Sequence, residues 1–258
     1  LADEVISGEW RGCQLNGQGT RKTTTGETHK GHWVDGKLEG EGEYECVHGS
    51  YKGSFVKNKE HGKGVKAFPD GSSYQGGWKE GLAHGKGEQV FSNGDRYQGD
   101  FRNGVKCGKG TLYSVSGTVY SGEWKFDKQN GKGKLTQPKA NFESPFVNEY
   151  IGEFKDNHFH GMGKIENETG IQYEGEWYFG KKNRFGKLII PQPRQNLFSK
   201  NLLVQVYKGE FKMGKIHGKG TMVYEDGTVY EGEWVEGLKQ GVGCEKQARS
   251  KNSHATEF

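Results

Sequence analysis

The chain has 258 residues, and only 31% of them are hydrophobic, which is too few for a large globular core. Its 44 glycines would indicate a flexible linker if they did not recur at a regular spacing. The net charge of +4 is spread over interleaved basic and acidic residues. That spread argues against a nucleic-acid partner. The four cysteines lie far apart in the sequence, which excludes a disulfide framework and favours a reducing, cytoplasmic compartment.

One pattern recurs along the whole chain. Its clearest copy begins with Tyr74-Gln-Gly76-Gly-Trp78 and closes with Gly85-Lys86-Gly87. Ten copies share the glycine between the two aromatic positions, at Gly8, Gly31, Gly53, Gly76, Gly99, Gly122, Gly152, Gly175, Gly209 and Gly232. Most copies are 23 residues apart, and two longer gaps of 30 and 34 residues mark insertions. A fixed period of this length is the signature of a repeat architecture.

Each repeat is predicted to be a β-hairpin. Tyr, Gly and Trp at alternate positions share one face of a strand, because strand side chains alternate between faces. Three residues after the aromatic position, nine of ten copies have Gly, Asn or Asp, which tolerate the positive φ of a tight turn. The Gly-x-Gly pair then forms the second strand, and a second turn such as Asp70-Gly71 leads to the next repeat. The sequence predicts an all-β, elongated, single-sheet antiparallel solenoid over residues 1–244.

Folding the hairpin about its turn predicts a register. Trp78 should lie opposite Gly85, the first glycine of the pair, and Gly76 should lie opposite Gly87. The aromatic ring would then rest on a strand without side chains, which explains why glycine is present there despite its entropic cost. On the other face, the acidic residue before the aromatic should face the Lys between the glycines, as a solvated charge ladder.

Departures from the pattern fall at particular places along the chain. The first two repeats have Ile6 and His29 at the Tyr position, as terminal repeats often do. The insertion near 137–148 contains two Pro and two Phe, which favours an ordered loop. The insertion near 189–205 is apolar, and it either packs onto the sheet or contacts a partner. In the eighth repeat Arg184 replaces the first glycine, where it could stack on Trp177 and disturb the hairpin.

The ends of the chain are predicted to lie outside the regular array. Residues 245–258 are a polar tail without an apolar stripe. The start at Leu1, close to the beginning of a repeat, favours a fragment of a longer protein. No apolar run approaches the length of a membrane-spanning helix.

Three features resemble catalytic or ligand sites but have better structural explanations. Two segments, 104–111 and 214–221, resemble phosphate loops, yet they lack the spacing and the following helix. A column of histidines, His61, His84, His160 and His217, has one member per hairpin, so its members should not converge on a metal. We therefore predict no enzyme activity, no cofactor and no metal.

The aromatic side of the sheet is the predicted binding surface. A single sheet has no second layer of its own, and exposed aromatic patches commonly mark interaction sites. We expect a groove that binds a peptide or helix of a protein partner, although the same rings also hold the hairpins together. The predicted contact residues are Tyr51, Phe55, Tyr74, Trp78, Tyr97, Phe101, Tyr120, Trp124, Tyr150, Phe154, Tyr173, Trp177, Tyr207 and Phe211.

The motif resembles the MORN repeat (membrane occupation and recognition nexus) over residues 6–244. This resemblance implies a non-catalytic, cytoplasmic, cytoskeleton-associated scaffold, with homo-oligomers among its expected assemblies. The stretch Asn148-Glu-Tyr150-Ile-Gly152-Glu-Phe154 after an insertion is similar to radial-spoke proteins, which implies a partner in a cilium or flagellum axoneme. Two alternatives stay open: a weak phospholipid-binding, membrane-tethering module, and the regulatory region of a larger enzyme.

Overall fold

The computed structural model describes residues 4–138, 147–191 and 204–248, and in these ranges the chain forms twenty β-strands and no helix. The strands are β1 (Val5–Arg11), β2 (Gln14–Lys22), β3 (Thr28–Val34), β4 (Lys37–Cys46), β5 (Gly49–Val56), β6 (Lys59–Ala67), β7 (Ser73–Lys79), β8 (Leu82–Val90), β9 (Arg96–Arg102), β10 (Val105–Tyr113), β11 (Val119–Lys125), β12 (Lys128–Thr136), β13 (Val147–Lys155), β14 (His158–Asn167), β15 (Gln172–Tyr178), β16 (Lys181–Pro191), β17 (Val204–Lys212), β18 (Lys215–Val223), β19 (Val229–Val235) and β20 (Leu238–Lys246). The predicted all-β fold of consecutive hairpins is confirmed.

The chain forms two compact units, Leu1–Gln129 and Asn130–Phe258. In the first unit each strand from β1 to β11 pairs antiparallel with the next strand of the chain. In the second unit the same order runs from β12 to β20. One continuous solenoid over 1–244 remains a prediction. The predicted insertions and tail lie partly outside the described residues, which omit 139–146, 192–203 and 249–258.

Two-residue turns with a left-handed backbone close the hairpins. Glu80 and Gly81, between β7 and β8, have φ values of 52° and 82°. Positive φ at both turn positions is the geometry whose twist matches that of the flanking strands. The position predicted from its Gly, Asn or Asp has a positive φ in nine of the described hairpins, at Gly36, Asn58, Gly81, Gly104, Asp127, Asn157, Gly180, Gly214 and Gly237.

The predicted register of the hairpin is half correct. In β7 and β8, Gly76 lies opposite Gly87, as predicted. The prediction that Trp78 lies opposite Gly85 is wrong, because Trp78 lies opposite Ala83. Gly85 has a φ of 76° and lies in a β-bulge, which shifts the register between Gly76 and Trp78.

The aromatic side chain instead faces the first glycine of the preceding repeat. Trp78 lies opposite Gly62 of β6. The charge ladder likewise forms between repeats. Lys86 lies opposite Asp100 of the next repeat, with its ammonium 2.6 Å from the carboxylate. The ladder pairs neighbouring hairpins, where the prediction placed it inside each hairpin. The aromatic position can face a glycine, and the acidic position a lysine, either within a hairpin or between hairpins. The sequence therefore could not distinguish these two registers.

Arg184 occupies the bulge position of the eighth repeat without disturbing its hairpin. Gly175 lies opposite Gly186, as in the regular repeats, so the expected irregularity is absent. The sequence suggested that Arg184 could stack on Trp177. In the structure Arg184 lies opposite Phe211 of the next repeat, and its guanidinium Nη1 is 3.5 Å from a Glu176 carboxylate oxygen. Its φ of 54° is one that glycine adopts at lower cost.

We expect Arg184→Gly to stabilise the protein by about 1 kcal/mol. A left-handed backbone costs a side-chain-bearing residue about 1–2 kcal/mol, whereas an exposed ion pair returns at most about 1 kcal/mol. Urea unfolding measures the change. The reverse exchange at the equivalent position, Gly161→Arg, should destabilise by a similar amount, since Gly161 has a φ of 59°. A less stable Arg184→Gly variant would show that the pair with Glu176 outweighs the strain.

Candidate functional site

The predicted Tyr and Trp or Phe positions share one side of the sheet, which we call the aromatic face. Tyr97 shows the local arrangement. Its ring lies over Gly99 and Gly110, which pair with each other in the hairpin of β9 and β10. A Cβ atom added to either glycine would collide with the Tyr97 hydroxyl. The predicted glycine floor therefore exists, and the ring that rests on it is the tyrosine of the same repeat.

The rings pack edge to face from one repeat to the next. The Tyr97 ring centroid is 5.2 Å from that of Phe101 in its own repeat and 5.0 Å from that of Trp124 in the following one. In the second unit, Tyr173 makes the same two contacts at 5.1 Å, with Trp177 and Phe211. Such pairs contribute about 0.5–1.5 kcal/mol beyond the area that they bury. Each tyrosine thus joins two neighbouring repeats.

The polar ends of these rings are satisfied by the backbone. The Tyr97 hydroxyl donates a hydrogen bond to the Asp100 carbonyl at 3.2 Å, and the seven other tyrosines of this column do the same at the equivalent carbonyl. The Trp124 indole N–H donates to the carbonyl of Gly110, in the preceding repeat, at 3.0 Å. Trp33, Trp78, Trp177 and Trp234 make the equivalent bond. No polar ring atom on these residues needs a ligand.

All of the predicted contact residues are buried. Their side chains are at most 6% exposed, for Tyr51, Phe55, Tyr74, Trp78, Tyr97, Phe101, Tyr120, Trp124, Tyr150, Phe154, Tyr173, Trp177, Tyr207 and Phe211. Burial also raises the pKa of the Tyr74 and Tyr207 hydroxyls to about 12, so both stay neutral at physiological pH. These rings form the core of each unit.

The first two repeats replace the tyrosine by a leucine from the opposite strand. Leu15 and Leu38 are 4% and 1% exposed, and each packs against the glycines that a tyrosine covers elsewhere. This substitution was not predicted from the sequence. Its signal was present, because a leucine stands five residues after the aromatic position only in the two repeats that lack the tyrosine.

Lysines on the aromatic face are functional candidates that were not predicted from the sequence. Lys66 lies over the Trp78 ring at 5.4 Å, and its ammonium is 2.7 Å from Glu60. Lys106 lies over Tyr97 at 5.5 Å, with a carboxylate 3.8 Å away. For Lys106 a signal was present: three repeats have a lysine five residues after the aromatic position, at Lys106, Lys182 and Lys239, where five others have an apolar residue. Each ammonium is attracted by the ring faces beneath it.

The Glu60 carboxylate predicts an acid-sensitive contribution to stability. Burial raises the pKa of Glu60, but hydrogen bonds from Lys66, the backbone and Tyr44 outweigh it, so the folded pKa lies below the ordinary 4.5. A lowered folded pKa stabilises the protein above pH 4.5 and loses that stabilisation as the pH falls through the folded pKa. Unfolding of wild type and Glu60→Gln from pH 7 to pH 2.5 should therefore converge at low pH. Parallel curves would contradict this.

The segments that resemble catalytic motifs lie on strands and turns. Residues 104–111 pass from a hairpin turn into β10, and residues 214–221 pass from another turn into β18, so neither opens a helix as a phosphate loop does. The Nδ1 atoms of His61, His84 and His160 are buried without a hydrogen-bond partner. Within the described ranges, no group of three or more His, Cys, Asp or Glu side chains could hold a metal ion.

The described part of the chain also contains no helix long and apolar enough to cross a membrane.

Among curated proteins, human alsin is 30% identical over 109 residues, which are 42% of this chain and 6% of alsin. The human ALS2 C-terminal-like protein is 30% identical over 94 residues, which are 36% of this chain and 9% of that protein. The chain thus matches less than a tenth of the length of either relative.

The chain also aligns with solved structures. One of them is the wild-type TCP10 domain of Danio rerio CPAP in complex with a peptide of Danio rerio STIL, with a TM-score of 0.46 and 9% identity over 95% of this chain and 100% of that one. This likeness is too low to support a statement about fold or function.

The repeats themselves match a known family. The pattern of the MORN repeat fits nine segments, at residues 29–50, 51–73, 74–96, 97–119, 120–141, 150–170, 173–192, 207–229 and 230–248. These segments coincide with hairpins whose tyrosine or histidine, glycine and aromatic positions were described above. Because the matched segments cover well over half of its residues, this chain belongs to the MORN repeat family.

Proposed function

We propose that the chain is a non-catalytic scaffold or adaptor that binds a peptide or helix of a protein partner on its aromatic face. Repeats of this family are generally non-enzymatic modules that interact with proteins or lipids. The matched relatives are more than ten times longer than their matching segments, which supports a module that works within a larger protein. A regulatory region of a larger enzyme would have the same property.

One observation carries this proposal: half-buried apolar side chains lie beside the packed rings on the aromatic face. Leu135 lies opposite Tyr150, and Phe159 stacks on the same tyrosine with ring centroids 3.8 Å apart. Ile216 lies opposite Phe211. All three are half-buried, so they keep surface for a partner, and their neighbours Tyr150 and Phe211 are buried. Rigid, preorganised apolar groups favour binding because little conformational entropy is lost.

Matched arginine substitutions on the two faces test this surface. Leu135→Arg alters the aromatic face, whereas Ile151→Arg alters the opposite face at a side chain that is already 50% exposed. Substituting the tyrosines themselves would strongly destabilise the hairpins and could not separate binding from folding. We expect proteins captured quantitatively by the wild type to be lost by Leu135→Arg and kept by Ile151→Arg, and purified candidates to show the same order of affinity. Equal capture by both variants would place binding elsewhere.

We propose a cytoplasmic, cytoskeletal or ciliary assembly as the setting of this binding. The support is the similarity of the stretch Asn148–Phe154 to radial-spoke proteins. A fluorescently labelled full-length protein should colocalise with the axoneme in ciliated cells and with cytoskeletal markers in others. A uniform distribution in both cell types would contradict this setting.

Phospholipid binding is the alternative function. It would need a coherent basic stripe, and the lysine column that could supply one is partly neutralised, as in the pair of Lys86 and Asp100. We therefore expect the protein to stay in the supernatant when it is sedimented with vesicles of phosphatidylcholine and phosphatidylserine at physiological salt. Salt-sensitive cosedimentation would support the lipid alternative.

A further inference from the structure

Three repeats have a lysine at the same place on the aromatic face, five residues after the aromatic position. They are Lys106, Lys182 and Lys239. Lys106 is 3.8 Å from the Asp127 carboxylate, and Lys239 forms an ion pair with Glu245. In residues 4–138, 147–191 and 204–248, no carboxylate lies within ion-pair distance of the Lys182 ammonium.

The repeat pattern explains why Lys182 lacks a carboxylate. Asp127 is the second turn residue of the repeat after Lys106, and at that place in the repeat after Lys182 stands Gly214. The equivalence is structural, because the Gly214 N–H donates to the Lys182 carbonyl as the Asp127 N–H donates to the Lys106 carbonyl. The place of Glu245 is filled by Leu188. Both positions that supply an acid to the equivalent lysines are therefore neutral around Lys182.

The surroundings of Lys182 make an unpaired ammonium costly. Lys182 lies opposite Trp177, its Nζ is 5.1 Å from the Tyr173 ring centroid, and the residue is half-buried. Burial lowers the pKa of Lys182 below its ordinary value. A partly desolvated cation gains more from a carboxylate than an exposed one does, because water screens it less. The segment 192–203, which follows β16 directly, contains no Asp or Glu that could supply one.

We propose that Lys182 is the anchor for a carboxylate of the bound partner, and that the aromatic face of the second unit therefore recognises an Asp or Glu flanked by apolar residues. This inference rests on the proposed function and names the chemistry of its partner. A carboxylate is the expected anion because carboxylates already pair with the two equivalent lysines. The apolar residues flanking it would contact neighbours such as Ile216, which is half-buried on the same face.

The test is a selection of random twelve-residue peptides displayed on phage against the full 258-residue chain, followed by titration of synthetic binders. We expect the selected peptides to share an acidic residue among apolar ones. Lys182→Met, and Gln or Asn in place of the peptide acid, should each weaken binding about tenfold or more, and the two changes should not add. Lys208→Met, an exposed lysine outside this lysine position, is the control that should bind normally.

Gly214→Asp supplies an internal competitor. This variant rebuilds the pair that Lys106 and Asp127 form, at a turn position where aspartate already occurs with a φ of 63°. We expect it to raise the pKa of Lys182 and to weaken binding of the acidic peptide, whereas Gly214→Asn should do neither. Peptide binding to the wild type should also raise the pKa of Lys182. NMR of the Lys182 side chain measures this pKa.

The outcomes separate this inference from the function on which it rests. Peptides that shift the Trp177 indole signal, yet bind Lys182→Met and Gly214→Asp as tightly as wild type, would overturn the role of Lys182 and leave the binding face intact. Peptides that never perturb the indole signals of the aromatic face, or a selection that yields no binder, would contradict both. Loss of binding in Gly214→Asp but not in Gly214→Asn would support the role of Lys182.

Discussion

Replacing Tyr97 by alanine is expected to lower the free energy of unfolding by about 4 kcal/mol, which is the range for removing a large buried aromatic side chain. Tyr97 is 0% exposed and contacts the rings of Phe101 and Trp124, so its removal breaks the contact between two repeats as well as the packing inside one. Urea unfolding, followed by tryptophan fluorescence and circular dichroism, measures the change.

Two further variants separate the ring from its hydroxyl and from general surface effects. Tyr97→Phe keeps the ring and loses the hydrogen bond to Asp100, so we expect a loss of about 1 kcal/mol. Tyr178→Ala removes a tyrosine that is 50% exposed, and we expect a loss below about 0.5 kcal/mol. Similar losses for Tyr97→Ala and Tyr178→Ala would mean that the rings are not the core of the unit.

Gly110→Ala is expected to destabilise by about 3 kcal/mol, the upper part of the range for overpacking. An added Cβ would lie 2.5 Å from the Cζ atom of Tyr97, and the ring cannot move away because its hydroxyl is bonded to the backbone. Gly108→Ala, in the same Gly-x-Gly pair, is the matched control. Gly108 has a φ of 59° and the three atoms nearest to an added Cβ belong to the Asp100 side chain, so we expect a loss of about 1 kcal/mol.

The double variant tests the cause. In a Tyr97→Ala background the ring is absent, so Gly110→Ala should cost much less than it does in the wild type. Residues in direct contact commonly show such coupling, of about 0.5–3 kcal/mol. Additive losses would show that Gly110 is needed for a reason other than the ring above it.

The hairpins could be predicted from the sequence because their determinants are local. Turn residues such as Gly81 and the alternation of Tyr74, Gly76 and Trp78 fix each strand and each turn within a few residues. The bulge at Gly85 was not predictable from alternation, since the residue spacing also fits a straight ladder. A glycine whose role is a positive φ cannot be told apart by pattern from one that makes room for a ring.

The binding surface was predictable only in part. Alternation correctly placed the aromatic residues on one face, but their exposure depends on how neighbouring rings cover one another. Tyr97 packs against Phe101 of its own repeat and Trp124 of the next one, and no single repeat encodes the second contact. The anchoring candidate Lys182 becomes apparent only by comparison with Lys106 and its carboxylate partner in the folded chain.

The most direct measurement is hydrogen exchange of the six indole N–H groups by NMR. Trp33, Trp78, Trp124, Trp177 and Trp234 donate to a glycine carbonyl of the preceding repeat and are at most 6% exposed, whereas Trp10 is 51% exposed. Rings that join successive hairpins as a buried layer predict five slowly exchanging indoles and one fast one, Trp10. Rapid exchange at Trp124 and its four equivalents, at rates close to that of Trp10, would contradict a buried aromatic layer between repeats.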